Sequence, residues 1–214
     1  TTTLPNDNGM VSILSGNDST HLFHLNTDPN AQQYNICDDC VTGPINLGFD
    51  FHYFDHVFNQ AWMYSNGVLG FQAPTGQGFC CSGEHLSSSL SSDYNYKIFP
   101  LWTDLIGGNN TFYSLQTDEG RIFGWYNINE YGTQNKSSFE VALKNDDTFK
   151  IIYGHVDVKP HTITMGFTGN ASAGEYYQYY NGVGSRQPAS NTTVFYQPHV
   201  DPCINNPLHS NTCP

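Results

Sequence analysis

The stretch WMYSNGVLGF, residues 62–71, indicates how this chain folds. Hydrophobic and aromatic residues run up to Asn66-Gly67 and resume directly after that pair. A two-residue type I′ hairpin turn needs positive φ at both central positions, which Asn tolerates and Gly adopts without steric cost. The stretch therefore predicts a β-hairpin that turns at Asn66 and Gly67. The alternative is a loop inside an irregular core segment.

Strand signals of the same kind continue towards the C-terminus. The clearest lies in SFEVALKNDDTFKIIYG, residues 138–154, where hydrophobic residues alternate with polar ones on both sides of an Asn-Asp-Asp turn. TFYSLQT and RIFGWYNINEY are joined at Asp118-Glu119-Gly120, which predicts a second hairpin. KIFPLWTDLI contains Pro100, which confines that segment to an edge strand or a bulged strand.

These strands define the predicted fold class. No segment shows the 3.6-residue period of an amphipathic helix, and turn signals recur about every 8–12 residues, as in β-sandwiches. The 214-residue chain is therefore predicted to be all-β, with an antiparallel β-sandwich-like domain, an irregular N-terminal arm and a cysteine-containing tail. Within the arm, MVSIL at residues 10–14 has the pattern of a short strand.

The charge composition excludes several classes of partner. The net charge is −12 and the chain has only seven Lys and Arg residues, so it lacks the basic surface needed to bind nucleic acid or anionic membranes. No apolar run approaches the roughly 18 residues of a transmembrane helix. Charged residues make up 12% of the chain, about half the usual share. We therefore expect sugar or partner subunits to cover part of the surface.

The cysteines indicate an oxidising, extracellular compartment, because their number is even and nothing else points to the cell interior. The expected pairing joins the CDDC segment to the vicinal CC pair in either order and closes a small loop in the tail. A zinc site is disfavoured, since adjacent cysteines have poor spacing for metal ligands. The six are Cys37, Cys40, Cys80, Cys81, Cys203 and Cys213.

Five N-glycosylation sequons fit the same compartment, and most of them fall in turn-like stretches such as GGNNT and TGNAS. We expect N-linked glycans on several, with Asn109 and Asn135 as the first candidates. The five acceptors are Asn17, Asn109, Asn135, Asn170 and Asn191.

No metal site is predicted. Asp104, which follows Trp102 in a predicted strand, is expected to accept hydrogen bonds from backbone N–H groups at the strand end. The alternative is a calcium ion, which binds carboxylate oxygens, with Asp50 or Asp55 as the candidate co-ligand. No other cofactor is expected. No catalytic residue is predicted either, because the chain has no nucleophile elbow, P-loop, dinucleotide-binding glycine motif or HExxH motif.

The histidines give no convincing metal site. His52 and His56 lie four residues apart on one predicted strand, on one face but about 13 Å apart, too far to share an ion. His21 and His24 lie in a loop-like patch. We expect all four to be solvated or hydrogen-bonded.

A run of tyrosines is a candidate contact surface. The segment YYQYY is predicted to be a strand with two tyrosines on each face, so that one pair packs in the core and the other is exposed. Exposed Tyr stacks on sugars or fills protein interfaces. The four are Tyr176, Tyr177, Tyr179 and Tyr180.

The order of these segments resembles the nidogen-like (NIDO) extracellular domain family over residues 45–183. The resemblance is carried by four motifs: Ser65-Asn66-Gly67 in the hairpin, PLWTD at residues 100–104, Trp125-Tyr126-Asn127, and the Phe-rich hairpin that ends at Tyr153-Gly154. It implies an extracellular structural or adhesive module without a catalytic centre. Residues 1–44 are then an N-terminal arm. Residues 184–214 are an irregular tail that could begin a cysteine-rich module.

Together these observations predict a non-enzymatic extracellular structural glycoprotein, a repeating subunit of a filament or matrix. Its expected partners are other copies of itself or glycoproteins of the matrix or cell surface. The arm could add a strand to a neighbouring copy, or it could fold back on its own domain. The alternative function is a carbohydrate-binding adhesin that uses exposed Tyr and Trp. A secreted hydrolase is disfavoured by the absent catalytic motifs.

Overall fold

The computed structural model describes residues 2–3, 9–15, 22–76, 79–184 and 190–198, and the structural statements below concern those residues. Fifteen strands form two antiparallel sheets that pack as a sandwich, which confirms the predicted fold class. Three short 3-10 turns lie at Leu25–Thr27, Ser92–Tyr94 and Ala171–Ala173. The strands are β1 (Thr2–Thr3), β2 (Met10–Ser15), β3 (Gln32–Tyr34), β4 (Val41–Tyr53), β5 (His56–Tyr64), β6 (Val68–Gly70), β7 (Lys97–Trp102), β8 (Leu105–Ile106), β9 (Phe112–Thr117), β10 (Gly120–Glu130), β11 (Lys136–Lys144), β12 (Phe149–Tyr153), β13 (Thr162–Thr168), β14 (Tyr176–Val183) and β15 (Thr192–Gln197).

The strands divide unequally between the sheets. Sheet A has the order β1-β2-β15-β12-β11-β10-β9-β3, with β8 paired to β10 beside this path. Sheet B has the order β14-β13-β7-β6-β5-β4. Every pairing between described strands is antiparallel, as expected for a chain that connects most of its strands through short turns.

The main core lies between the sheets and follows the predicted alternation. In β11, Phe139, Val141 and Leu143 are buried in this core, opposite Tyr153, Ile151 and Phe149 of β12, respectively. Trp125 of β10 stacks on Phe139, with the ring centroids 5.0 Å apart. Burying each large apolar side chain contributes roughly 1.5–3 kcal/mol, so this layer is a principal source of stability.

The predicted hairpin at residues 62–71 is present, but its turn differs from the prediction. Tyr64 pairs with Val68, so the loop has three residues, and only Gly67 among them has positive φ, +74°. A Cβ atom on Gly67 would lie 2.0 Å from the Leu101 carbonyl oxygen. Glycine is needed there both for its backbone conformation and because β7 approaches so closely.

The two-residue turn with positive φ at both positions lies elsewhere, between β4 and β5. Phe54 and Asp55 have φ values of 48° and 61°, and Tyr53 pairs with His56 across them. Phe rarely adopts positive φ, so this turn could not be predicted from the residue types at positions 54 and 55. Packing compensates, because the Phe54 ring lies 4.8 Å from that of Tyr53 and against Gly169.

This turn corrects the expectation for His52 and His56. They lie on opposite sides of the hairpin rather than on one strand. The His52 Nδ1 atom is 3.2 Å from an oxygen of Asp147, and the His56 ring contacts the Phe54 carbonyl and the Tyr96 hydroxyl. Both histidines are therefore hydrogen-bonded within the fold.

Pro100 lies in an interior strand, because β7 pairs with both β6 and β13. The pairing of β7 with β13 shifts register between Thr164 and Gly166, opposite Pro100. β6 pairs only with Lys97 and Ile98 of β7. Of the two predicted alternatives, the bulged strand is correct, since the bulge accommodates a residue without an N–H group.

Strands from outside residues 45–183 pair with strands of that region. From the arm, MVSIL forms β2 as predicted, but it pairs with β15 of the same chain, and β3 pairs with β9. From the tail, β15 also pairs with β12. An unpaired β12 would expose a long strand edge in the middle of the protein. β15 and β2 extend sheet A on that side of β12. Residues 199–214 lie outside the described part of the chain.

Each sheet also has a small hydrophobic cluster on its outer face. Residues 22–31, the N-terminal cover, close the cluster on sheet A, and residues 72–76 with 79–96, the loop cover, close that on sheet B. The cluster on sheet A contains Leu25, Tyr113, Ile122, Tyr126 and Ala142. That on sheet B contains Tyr64, Val68, Leu86, Phe99 and Trp102.

Candidate functional site

The tyrosines of β14 are arranged differently from the prediction of two on each face. The register shifts between Met165 and Gly166 of β13, which leaves Tyr179 as the extra residue of a bulge. As a result Tyr177, Tyr179 and Tyr180 all pack against the main core, and Tyr176 packs against the cluster under the loop cover. All four are half-buried, and the Tyr179 hydroxyl lies 2.5 Å from that of Tyr153.

The edge formed by β14 is the longest uncharged edge of the described sheets. β14 pairs on one side only, with β13, and contains neither a charged residue nor proline. The other edge of sheet B, β4, carries Pro44 and Asp50 and has two register shifts. In sheet A the edge strands β1 and β3 have only two and three residues. Short, irregular or charged edges resist pairing, and β14 has only its bulge as protection.

In one half of β14, alternate main-chain groups point away from β13. The Gly184 N–H donates to the His161 carbonyl over 3.0 Å, and Val183 and Asn181 pair with residues 162 and 164 of β13. Alternate residues of an antiparallel ladder bond to the same neighbour. The N–H and C=O groups of Asn181 and Val183 therefore point away from β13, and there the Val183 C=O accepts a hydrogen bond from the Tyr180 hydroxyl.

Asp104 lies beside Asp38 and Asp39 rather than beside Asp50 and Asp55, the residues of the alternative calcium site. One oxygen of each of the three carboxylates lies within 4.8 Å of the others. Among the described residues, no such group includes Asp50 or Asp55. Burial raises the pKa of Asp104, His161 at 3.7 Å opposes this rise, and Asp39 and Asp38 add to it. Such a cluster does not by itself indicate an ion.

The disulfide pairing also differs from the expectation. Cys37 pairs with Cys40 and Cys80 pairs with Cys81, so each bridge is local instead of joining the two segments. The segments do meet, because the Cys80 Sγ atom lies 3.5 Å from an oxygen of Asp39. Cys203 and Cys213 lie outside the described residues.

The described sequons differ in exposure. Asn109 and Asn191 are exposed, and Asn170 is half-buried. Asn135 is also half-buried, and its side-chain amide donates to a Glu130 oxygen at 2.8 Å, so this side chain serves the fold. Asn17 lies outside the described part. Glycosylation at these positions stays a prediction.

The N-terminal cover is held by a fully buried carboxylate. Glu140 accepts hydrogen bonds from the backbone N–H groups of Phe23 and His24, at 2.7 and 3.1 Å, and from the Tyr126 hydroxyl. The same hydroxyl accepts the Leu25 N–H at 2.9 Å. Burial raises the pKa of Glu140, and these hydrogen bonds oppose the rise. The charge is thus surrounded by donors, as a buried carboxylate requires.

The loop cover lies over a buried cation with fewer partners. Lys97, at the start of β7, is 4% exposed, and its Nζ atom donates to the Asn95 carbonyl at 3.2 Å. The Phe79 ring centroid lies 6.0 Å from Nζ, at the limit of a cation–π contact. Burial lowers the pKa of Lys97 to about 8, and the field of Asp93 acts in the opposite direction.

Lys97 lines a cavity of about 330 Å³ between β5, β7 and the loop cover. Phe79 is at the centre of its aromatic wall, with ring centroids 5.2 Å from those of both Tyr64 and Tyr94. Asp93 is exposed in the same cavity and accepts a hydrogen bond from the Thr75 hydroxyl. Burial, then the charge of Asp93, raises the pKa of Tyr64 to about 12.

A family model described as NIDO related matches residues 15–205. The chain belongs to the NIDO-related family. The match extends well beyond residues 45–183 and includes β3 and β15, in agreement with the observed sheets. A search of curated proteins and a search of solved structures found no match.

NIDO-related domains are in general a non-catalytic structural type, typically extracellular, and the two disulfides fit an oxidising compartment. Among the described residues of this chain, no helix has the length and hydrophobicity that a bilayer crossing requires. The family membership thus agrees with the expected class of function and leaves the partner open.

In this NIDO-related chain the sequence reading missed several buried polar residues. Asn66, predicted only as a turn residue, is fully buried, and its amide group bonds to Asp39, the Phe79 carbonyl and the Leu105 N–H. Glu130 accepts hydrogen bonds from Asn135 and from residues 159 and 161. Burial of a polar residue at a turn or strand end produces no periodic pattern in the sequence. The hydrogen-bond partners of Asn66 and Glu130 could therefore not be predicted from the neighbouring residues.

Proposed function

We propose that this chain is a non-enzymatic structural module of an extracellular assembly and that it joins a neighbouring copy along β14. The observation that carries the proposal is the uncharged, one-sided edge of β14. An open edge offers main-chain hydrogen bonds to any extended strand, which is the basis of β-augmentation. Membership of a generally structural, extracellular family supports the same class of function.

A neighbouring copy would meet the half of β14 that follows the bulge. There the main-chain groups of Asn181 and the N–H group of Val183 point outward, the Val183 carbonyl accepts the Tyr180 hydroxyl, and Val183 is 47% exposed. Two β14 strands related by a two-fold axis could pair antiparallel with each other and close a dimer. An extended strand from elsewhere in a second copy would instead continue the assembly.

The route through the N-terminal arm has less support than β14. The predicted exchange strand, β2, already pairs with β15 along its whole length in the same chain. Release of β2 would break that ladder before any contact with a neighbour formed. We therefore place the proposed contact on an edge that is open in the single chain.

The adhesin alternative has less support than the structural module, because the four tyrosines of β14 are half-buried. Three of the four tyrosines of β14 pack against the main core. Trp102 and Trp125 are almost fully buried, and Trp62 is half-buried. Rings packed in this way offer little surface to a sugar, so these tyrosines and tryptophans give the adhesin alternative little support.

The experiment is a charge placed on the proposed edge. Val183→Lys puts an ammonium on β14, and like charges brought together across a strand pair oppose pairing. We expect light scattering at increasing concentration to show association for the wild type and a shift towards monomer for the variant. Val57→Lys is the matched control, since Val57 is 54% exposed on the interior strand β5.

Two outcomes contradict the proposal. A wild-type protein that stays monomeric at all concentrations rules out self-assembly along β14. Equal association of the Val183→Lys and wild-type proteins, with both variants folded by circular dichroism, assigns the contact to another surface.

A further inference from the structure

The cavity under the loop cover contains a cation without a matching anion. Within the described part of the chain, no carboxylate oxygen lies within 4.0 Å of Lys97 Nζ. An ammonium group has three donors, and one of them bonds to Asn95 at 3.2 Å. A buried charge ordinarily has a partner of opposite sign, so a ligand that supplies an anionic oxygen would complete this site.

The positive and negative charges of the cavity lie at different depths. Lys97 is buried, whereas Asp93 lines the same cavity and is exposed, so the positive charge lies deep and the negative charge lies nearer to solvent. A ligand aligned with this field carries an anionic group at its inner end and hydrogen-bond donors at its outer end. The Asp93 carboxylate and the Thr75 hydroxyl can accept from such donors.

The remaining wall is aromatic. Tyr64, Phe79 and Tyr94 line the cavity together, and the vicinal disulfide contributes Cys80 beside them. Its volume of about 330 Å³ is at the lower end of the range for small-molecule sites, which starts near 300 Å³. This size and composition suit one ring with an apolar face, since such rings pack on aromatic side chains.

We propose that this cavity binds a carboxylated sugar residue, a hexuronate, with its carboxylate on Lys97, its hydroxyls towards Asp93 and Thr75, and its ring against Phe79. A neutral sugar leaves the Lys97 charge without an anion. A small anion such as acetate leaves the aromatic wall uncovered. The inference is independent of the contact along β14, because its residues lie on other strands and on the loop cover.

The test uses methyl glycosides, because their blocked anomeric carbon cannot open to an aldehyde that would condense with the lysine amine. Methyl D-glucuronoside and methyl D-galacturonoside are titrated into the full chain at pH 7 by ligand-observed NMR and calorimetry. The corresponding methyl glucoside and galactoside are the neutral controls, and sodium acetate is the control for simple anion binding. We expect saturable binding of at least one uronide, at least tenfold tighter than that of its neutral counterpart and of acetate.

Variants locate the binding site. Lys97→Met keeps the length of the side chain and removes the charge, and we expect at least tenfold weaker uronide binding. Lys136→Met is the matched control on an exposed lysine outside the cavity and should bind as the wild type does. Asp93→Asn removes a charged acceptor near the mouth of the cavity, so it should weaken binding of the uronide more than that of acetate.

The pH dependence gives a second readout on the unaltered protein. With the pKa of Lys97 near 8, the protonated fraction falls about tenfold between pH 7 and pH 9, and uronide affinity should fall with it. The other titratable groups around the cavity are Tyr64 and Tyr94, whose pKa values of about 12 keep them neutral there, and the carboxylates Asp93 and Glu84. Binding of neutral and acidic glycosides with equal affinity, binding unchanged by Lys97→Met, or no binding of either uronide would each overturn the proposal.

Discussion

The two covers close the outer faces of the sheets in different ways. The N-terminal cover lies on sheet A and encloses a carboxylate, Glu140, that accepts three hydrogen bonds from protein groups. The loop cover lies on sheet B and encloses an ammonium, Lys97, that donates to one carbonyl. Both charges are buried, and burial shifts both pKa values towards the neutral form.

The number of hydrogen-bond partners distinguishes a buried charge that stabilises the fold from a buried charge that a ligand could complete. A buried charge with a complete set of partners joins distant segments, and Glu140 joins β11 to backbone groups 116 and 117 residues away. A buried charge with an incomplete set costs stability unless something else completes it. The Glu140 site therefore stabilises the fold. At the Lys97 site, a bound ligand would stabilise the buried charge.

The strongest test of the comparison is Glu140→Leu. This substitution leaves three donors without their acceptor: the backbone N–H groups of Phe23 and His24 and the buried hydroxyl of Tyr126. We expect a loss of about 4 kcal/mol in the free energy of unfolding, within the range for breaking buried charged networks. Urea unfolding followed by tyrosine and tryptophan fluorescence measures it.

The control for this variant is Glu119→Gln, because the Glu119 side chain is 77% exposed and pairs only with Lys144 at the surface. It should change stability by less than about 0.5 kcal/mol. If Glu140→Leu costs no more than Glu119→Gln, the carboxylate does not hold the N-terminal cover.

A smaller effect is expected on the loop cover from Gly83→Ala. The new Cβ atom would lie 2.4 Å from the Thr164 nitrogen and 2.6 Å from the Trp102 carbonyl oxygen, so the loop must lift from β7 and β13. Overpacking of this kind costs about 3 kcal/mol. Gly76→Ala is the matched control in the same loop, since nothing lies within 4 Å of its Cβ position. Thermal unfolding that gives both variants the same midpoint would show that the loop cover is not closely packed.

The smallest expected effect has the opposite sign. Lys97→Met removes a buried charge that has too few partners, and we expect the variant to be more stable than the wild type by about 2 kcal/mol at pH 7. This figure follows from a pKa lowered from 10.5 to about 8, less the lost hydrogen bond. Urea unfolding at pH 7 measures the difference, and a less stable variant would contradict the view that Lys97 lacks partners.

The stability of the wild type also depends on pH through Lys97. Because the pKa of Lys97 is lower in the folded state, the unfolded state binds more protons between about pH 8 and 10.5, so the wild type gains stability as pH rises through that window. The advantage of Lys97→Met should therefore shrink between pH 8 and pH 10. Lys136→Met, on an exposed lysine, should show no such change relative to the wild type.

The local features of the fold were predictable from the sequence. Period-two alternation assigned the hairpin of β11 and β12, and the structure places the predicted residues in the core. Asn66-Gly67 located a hairpin, and Pro100 located a bulge. These predictions succeed because each depends on the backbone geometry of a few consecutive residues, which their side chains largely determine.

Which distant groups meet depends on the tertiary structure. The partners of Glu140, the position of Asp104 beside Asp38 and Asp39, and the pairing of the terminal strands with β12 and β9 all join residues far apart in the chain. The same lysine at a strand start would be solvated on an uncovered sheet; under the loop cover, Lys97 is buried beside aromatic rings. The physical reason is that desolvation and hydrogen bonding depend on everything within a few ångströms, and that neighbourhood exists only once the sheets and their covers have assembled.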